Sequence, residues 1–208
     1  ALYNEQLWPA HLIALAAGVA VIAGIVRPGP RSQGIGYLLL GVGWAWIAWG
    51  YHWQRYADIN TAAPYFAAGF ALQALLLWLC TARARRVPAA RLHQRVGLAI
   101  AVLGVLLYPL LSLAGGHGWS RAEVAGMVPD PTVVATLGML LAARAHWTLW
   151  LLPLAWCAIG GATLMELGEG HAALLPVVAV CSVVAGLVPG AAASRRLSEA
   201  SGQSGPSG

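Results

Sequence analysis

Charged residues are scarce in this sequence, and lysine is absent from it altogether. Only 9% of the 208 residues are charged, whereas about a quarter of the residues in a soluble domain are. Hydrophobic residues make up 59% of the chain. Because so few charges cannot cover a surface that faces water, we expect a lipid bilayer to be the solvent for most of the chain.

Other absences exclude whole classes of function. The 12 basic residues, all arginine, lie between apolar runs and form no basic stripe, so no nucleic-acid partner is expected. Cys80, Cys157 and Cys181 fall in apolar runs without CxxC spacing, which argues against a zinc site or a disulfide framework. No P-loop, G-x-S-x-G elbow or HExxH motif occurs. We also expect no cleavable signal peptide, since no basic residue precedes the first apolar run.

Seven apolar runs predict an all-α, polytopic transmembrane bundle of about seven spans. The runs cover residues 7–26, 35–53, 64–80, 96–115, 132–143, 147–167 and 173–191. The fifth run is short, so it either crosses as a tilted helix or re-enters. We assign residues 1–193 to the transmembrane domain and expect the Ser-, Gly- and Pro-containing tail, 194–208, to be disordered in the cytoplasm.

Arginine placement predicts the orientation, because short cytoplasmic loops are rich in basic residues. With seven spans, the N-terminus lies outside, the C-terminus lies inside, and only Arg55 and Arg121 fall outside. The remaining arginines fall inside: Arg27, Arg31, Arg83, Arg85, Arg86, Arg91, Arg95, Arg144, Arg195 and Arg196. This pattern indicates a multi-pass protein of the bacterial inner membrane.

Histidines and acids gather near the predicted outer ends of the spans. Imidazole and carboxylate groups together can bind a transition metal or move protons. The metal candidates are His52, His117, Asp58 and Asp130. A wider polar site at this face adds His11, Arg55, Asn60, Arg121, Glu123, Glu166 and His171. The alternative is that these residues cap helices and connect loops, since no compact ligand motif such as HxxxH occurs.

The spans themselves carry no acid or arginine near their midplanes, which argues against a proton-coupled carrier. Gln73 and Thr136 are predicted to form hydrogen bonds between helices. Trp46, Trp49 and Trp53 share a helical face that suits lipid or helix contact, or the stacking of a pigment. Haem b held by His11 and His52 is a further alternative. A ridge of small residues suits close helix packing, either within the chain or with another subunit: Ala16, Ala20 and Gly24.

Several short motifs resemble an uncharacterised family of bacterial integral-membrane proteins. They include Tyr51-His52-Trp53, Ile59-Asn60 with Ala62-Ala63, His117-Gly118, Pro129-Asp130-Pro131-Thr132, Leu137-Gly138, and Trp156 with Ile159-Gly160-Gly161. The resemblance implies a membrane-embedded fold but no established activity. Family members often carry Cys where this chain has Asp130, so no thiol role is implied here.

Three functions remain open at this point. The first is an accessory or scaffolding subunit of a larger membrane complex, with lipid, other membrane subunits and pigment or haem as candidate contacts. The second is a transporter or permease for a metal ion or small solute, with the His and acid residues of the outer face at its mouth. The third is a membrane enzyme in which His52, Asp58, His117 and Asp130 act at the outer surface; we favour a non-enzymatic protein.

Overall fold

The fold, taken from a computed structural model, is described for residues 2–82, 84, 91–114 and 118–189. All regular secondary structure in these residues is helical. The predicted tail at 194–208 lies outside them, as does His117. Each of the seven apolar runs corresponds to a helix or to a helix with π- or 3-10-helical turns.

The helices alternate with short connections along the chain. A short α1 (Leu2–Gln6) precedes α2 (Ala10–Val26), and α3 (Pro30–Trp46) continues as a π-helix over Ile47–Tyr56. Next come α4 (Ala63–Thr81), α5 (Arg91–Val102), a π-helical turn at Leu103–Leu107, and α6 (Tyr108–Ala114). A 3-10 turn at Trp119–Arg121 leads to α7 (Pro129–Ala142), and a second at Trp147–Trp150 leads to α8 (Leu151–Glu166) and α9 (Leu174–Leu187).

Three of these helical stretches are long and apolar enough to cross a membrane: Ala63–Thr81, Arg91–Leu111 and Trp147–Glu166. The apolar helices Ala10–Val26, Pro129–Ala142 and Leu174–Leu187 are shorter. The short length of the run at 132–143 is the reason that the sequence does not decide whether this run crosses the membrane or re-enters. A helix of 14 residues rises only about 21 Å, less than the roughly 30 Å of a bilayer core.

The short helix α7 is the centre of the bundle. From Pro129 to Leu141, every residue except Asp130 is buried. Helices α2, α3, α5, α8 and α9 all pack against it. Because its backbone and side chains meet protein on every side, α7 does not have to match the thickness of a lipid layer.

Glycines bring α5 and α7 into backbone contact. A β-carbon added to Gly97 would lie 2.5 Å from the Gly138 carbonyl oxygen, and one added to Gly138 would lie 2.5 Å from the Ala101 nitrogen. Two turns further along, a β-carbon on Gly104 would lie 2.7 Å from the Ala135 nitrogen. These positions therefore require glycine, as small residues at close helix crossings do.

Buried polar side chains join helices, as predicted. The Trp44 indole nitrogen donates to Thr136 Oγ1 over 2.9 Å, which links α3 to α7. Gln73 Nε2 donates to the Leu149 carbonyl over 3.0 Å, which links α4 to the turn before α8. The prediction that Gln73 and Thr136 form interhelical hydrogen bonds is confirmed.

The bundle has two chemically different ends. At the α1 end, the first helix contacts the 3-10 turn at Trp119–Arg121, which leads into the start of α7. At the opposite end, which we call the arginine end, Gln94 Nε2 donates to the Ile25 carbonyl over 2.9 Å and joins the start of α5 to the end of α2. Arginines at this end begin, end or follow helices: Arg27, Arg31, Arg91 and Arg144.

We expect Gly138→Ala to destabilise the bundle, because its β-carbon would press on the backbone of α5. The cost should be about 1–3 kcal/mol, the usual range for overpacking a core. The loss of stability is measured in detergent as a lower melting temperature, with size-exclusion chromatography used to detect unfolding after heating. Gly69→Ala in α4 is the control, since its β-carbon would meet only a Leu152 methyl group at 3.7 Å. Equal melting temperatures for the two variants would contradict the glycine contact.

Candidate functional site

Asp130 is the hub of a polar cluster at the α1 end. It lies in the first turn of α7 between Pro129 and Pro131. Proline suits the first turn of a helix because the N–H groups there have no partner within the helix, and a carboxylate there complements the helix dipole. Asp130 accepts hydrogen bonds from Trp156 Nε1 at 2.8 Å and from Tyr108 Oη at 3.3 Å. One carboxylate thus ties the starts of α6 and α7 to α8.

Glu123 and His171 flank this hub. Burial, together with the negative charge of Asp130, raises the pKa of Glu123 from 4.5 to about 7. The imidazole of His171, in the connection between α8 and α9, lies edge-on to the Tyr108 ring with 6.2 Å between ring centroids. Three predicted site residues, Asp130, Glu123 and His171, therefore gather around Tyr108. Near neutral pH, Glu123 can hold or release a proton beside a second carboxyl group.

His52 lies in an aromatic cage instead of a ligand cluster. Its side chain is only 3% exposed, and its Nε2 has no hydrogen-bond partner. The rings of Phe70, Trp156 and Phe66 surround it with centroid distances of 4.8, 5.3 and 5.6 Å. The π-helix places His52 on the same buried face as Ile47, five residues earlier, in keeping with its i to i+5 hydrogen bonding.

Trp156 lies between His52 and Asp130. Its indole ring lies 5.3 Å from the imidazole ring, centroid to centroid, in a T-shaped arrangement, and its N–H donates to the Asp130 carboxylate. The two metal candidates therefore share a neighbour without being hydrogen-bonded to each other. Within the described part of the chain, no group of three His, Cys, Asp or Glu side chains is arranged to hold a metal ion.

The N-terminal segment connects the loops of the α1 end. Tyr3 Oη donates to the Met127 carbonyl at 3.2 Å and accepts from Trp46 Nε1 at 2.9 Å. Asn4 Nδ2 donates to the Arg121 carbonyl at 3.1 Å, and the Arg121 side chain forms an ion pair with Glu5.

The two arginines predicted at this face are both engaged within the chain. Arg121 pairs with Glu5, and Arg55 Nη1 donates to Gln6 Oε1 at 3.4 Å. Their observed partners are side chains of the first helix, which fits the alternative that polar residues here connect loops. Arg121 is therefore ion-paired, whereas Arg55 is hydrogen-bonded to a neutral amide.

The other predicted site residues are spread around this end. His11 is buried beside Trp8, with 5.7 Å between the ring centroids. Trp8 is not one of the rings that surround His52. Asp58 and Glu166 are exposed. Asn60 Oδ1 accepts from the Ala62 backbone N–H at 2.9 Å and so stabilises the turn before α4. The His117 prediction lies outside the described residues.

Sequence reasoning missed Tyr108 as a site residue and treated Trp156 only as part of a family motif. Both lie within apolar segments, where an aromatic ring is ordinarily a packing residue. The available signal was chemical: a phenol or indole in an apolar segment needs a partner for its polar atom. The partner, Asp130, lies 22 and 26 residues away in sequence and is brought close only by the fold.

Taken together, these contacts join helices through hydrogen bonds to Asp130, with one titratable group, Glu123, beside it. Asp130 is satisfied by two neutral donors, and His52 is enclosed by rings. The arrangement can position helices and hold a proton at Glu123. Of the four groups that the enzyme hypothesis names, Asp58 is exposed, His52 is buried among rings, Asp130 bonds to Trp156 and Tyr108, and His117 lies outside the described residues.

The raised pKa of Glu123 predicts that stability falls as pH rises. Between 4.5 and about 7, the folded protein binds more protons than the unfolded chain, so the free energy of unfolding decreases across that window. We expect the melting temperature to drop by about 5 °C between pH 5 and pH 8. Glu123→Gln should flatten this dependence, whereas the exposed control Glu166→Gln should not. An unchanged slope in Glu123→Gln would contradict the assignment.

Comparison with known proteins identifies the chain only at the level of a family. No curated protein and no solved structure matches it. Residues 1–194 match the model of a family described as "Family of unknown function (DUF6064)". The family resemblance drawn from the sequence motifs is thus confirmed, and the chain belongs to the DUF6064 family.

Proposed function

We propose that this chain is a multi-pass protein of the bacterial inner membrane, with about seven spans, its N-terminus outside and its C-terminus inside. The alternation of helices supports this arrangement, as does the gathering of Arg27, Arg31, Arg91 and Arg144 at the end opposite Glu5, Glu123 and Asp130. The short α7 fits a crossing role because other helices surround it. The positive-inside rule then assigns the arginine end to the cytoplasm.

Within that membrane, we propose that the protein is an accessory or scaffolding subunit of a larger complex. A groove on the outside of the bundle, between the π-helix and α4, carries this proposal. It has a volume of about 390 Å³ and a floor of small residues, and we call it the alanine groove. Its lining is Ala45, Ala48, Trp49, Trp53, Pro64, Ala67, Ala68, Ala71, Ala74 and Trp78.

The shape and chemistry of the alanine groove suit a partner transmembrane helix. Small side chains let two helix backbones approach closely, which is how helices associate in lipid. Trp49, Trp53 and Trp78 border the groove and are 58%, 49% and 40% exposed, so they offer large flat surfaces to a partner. Large aromatic residues such as tryptophan are common anchors of protein contacts.

A second surface supports the same function. Ala16 and Ala20 of the predicted small-residue ridge are exposed on α2, whereas Gly24 packs against the start of α3. Most of the ridge therefore faces away from the protein's own core, as expected if it contacts another subunit.

Filling the alanine groove should release the partner. We predict that Ala71→Leu, at an exposed position in the groove, removes stoichiometric co-purifying proteins without unfolding the chain. The measurement is a native gel of protein extracted in mild detergent, with mass spectrometry and an absorption spectrum of the band. The spectrum also tests for a bound pigment or haem.

Ala158→Leu is the matched control, because Ala158 is an exposed alanine of α8 that lies outside the groove. A large band in wild type and Ala158→Leu that collapses to the monomer in Ala71→Leu supports the proposal. A small, monodisperse, partner-free band in the wild type would refute it.

A permease for a metal ion or small solute is the second candidate, favoured by one observation. Glu123 and Asp130 lie close enough for the charge of one to raise the pKa of the other, so a cation arriving from the α1 end would relieve their repulsion. In this second candidate function, the two carboxyl groups form the entrance of the transport path, and His171 lies beside them.

If this second function holds, neutralising the pair should lower uptake. We expect Glu123→Gln with Asp130→Asn to reduce cellular metal content or solute uptake at least fivefold, while the exposed Asp58→Asn leaves both unchanged. His52→Ala and His117→Ala test the sequence-predicted ligands in the same assay. Wild-type uptake in the double variant would remove the permease from consideration.

A further inference from the structure

A pocket at the arginine end combines a cation with apolar walls. It lies between the start of α5, the end of α7, the start of α8 and the end of α9, and its volume is about 440 Å³. Among the residues that line it are His93, Arg144, Trp147, Trp150, Leu151 and Leu154. Its position is far along the helices from the Asp130 cluster, so the two sites are separate.

The charged group of this pocket suits an anion. Arg144 is exposed, and among the described residues that line the pocket none is acidic. An exposed guanidinium without an acidic neighbour in the pocket is available to bind phosphate oxygens, which Arg contacts through two N–H groups at once.

Arg144, which lines the pocket, has a left-handed backbone conformation. Helix α7 ends with the paired bonds of a Schellman motif, from Ala145 N to Leu140 O at 2.9 Å and from Arg144 N to Leu141 O at 3.1 Å. Arg144 consequently adopts a φ of +48°, a position that glycine ordinarily occupies because a β-carbon is strained there. The chain keeps an arginine where glycine would fit the backbone better, and observed strain of this kind points to a function for the side chain.

We propose that this pocket binds an anionic phospholipid of the inner leaflet, with the phosphodiester at Arg144 and the acyl chains along the leucines. Trp147 and Trp150 are residues of the kind that settle at the headgroup level of a membrane. Basic pockets between membrane helices on the cytoplasmic side are known to bind anionic headgroups. This inference goes beyond the proposed function, because the ligand is a lipid and the site lies away from the alanine groove.

The test uses the purified full chain in a neutral detergent. Dioleoyl phosphatidylglycerol, dioleoyl phosphatidylcholine and inorganic phosphate are added separately, and retained lipid is counted by native mass spectrometry alongside the melting temperature. We expect phosphatidylglycerol to be retained and to raise the melting temperature more than phosphatidylcholine does. Arg144→Gln should weaken its binding about fivefold, the effect of one arginine near a membrane surface.

Arg144→Gly separates binding from folding. Glycine relaxes the left-handed backbone at this position, so the variant should melt no lower than the wild type without lipid and yet lose the response to phosphatidylglycerol. Arg91→Gln is the control, since Arg91 is an exposed arginine at the same end that does not line the pocket.

Four results would overturn the proposal. They are equal responses to the two lipids, a wild-type response in both Arg144 variants, an equal loss in Arg91→Gln, and a full response to inorganic phosphate alone. The last result would assign the pocket to a soluble anion in place of a lipid.

Discussion

The backbone contact between α5 and α7 is the constraint on which the rest of this bundle depends. Gly97, Gly104 and Gly138 let two helices approach until a single β-carbon would strike a peptide group. That approach allows the short α7 to lie at the centre, where five other helices can reach it. Apolar association alone gives little specificity in lipid, because lipid tails are as apolar as leucine side chains. The glycine contact therefore supplies a defined position for the central helix.

Polar contacts then fix the helices around that centre. Trp44 bonds to Thr136 halfway along α7, and Trp156 and Tyr108 bond to Asp130 at its start. In each case an aromatic donor on a neighbouring helix meets an oxygen on α7. The same fold thus explains why polar residues within apolar runs need not form a transport path. Several of them hold the central helix in register.

The positions of the helices could be predicted from the sequence, because apolar runs and arginine-rich connections define them directly. Their neighbours could not be predicted, since apolar residues lie on every side of a helix such as 132–143 and the hydrophobic pattern therefore indicates no single buried face. The same limit applies to the site. Asp130, Glu123 and His171 stood out as polar residues near helix ends, but their shared partner Tyr108 looked like any other aromatic residue of an apolar segment. His52 stood out for its chemistry, whereas its enclosure by Phe66, Phe70 and Trp156 depends on residues far apart in the chain.

The shortness of α7 has a consequence for its two ends in the proposed membrane arrangement. Its 14 residues rise about 21 Å, whereas the surrounding hydrocarbon is roughly 30 Å thick. With Arg144 at the headgroups of the inner leaflet, the Asp130 end of α7 is recessed below the opposite headgroups. At that depth lipid offers no hydrogen-bond donors, and the side chain of Asp130 is met by two donors of the protein, Trp156 Nε1 and Tyr108 Oη. The bundle thus supplies its own polar surroundings for the recessed end of its central helix.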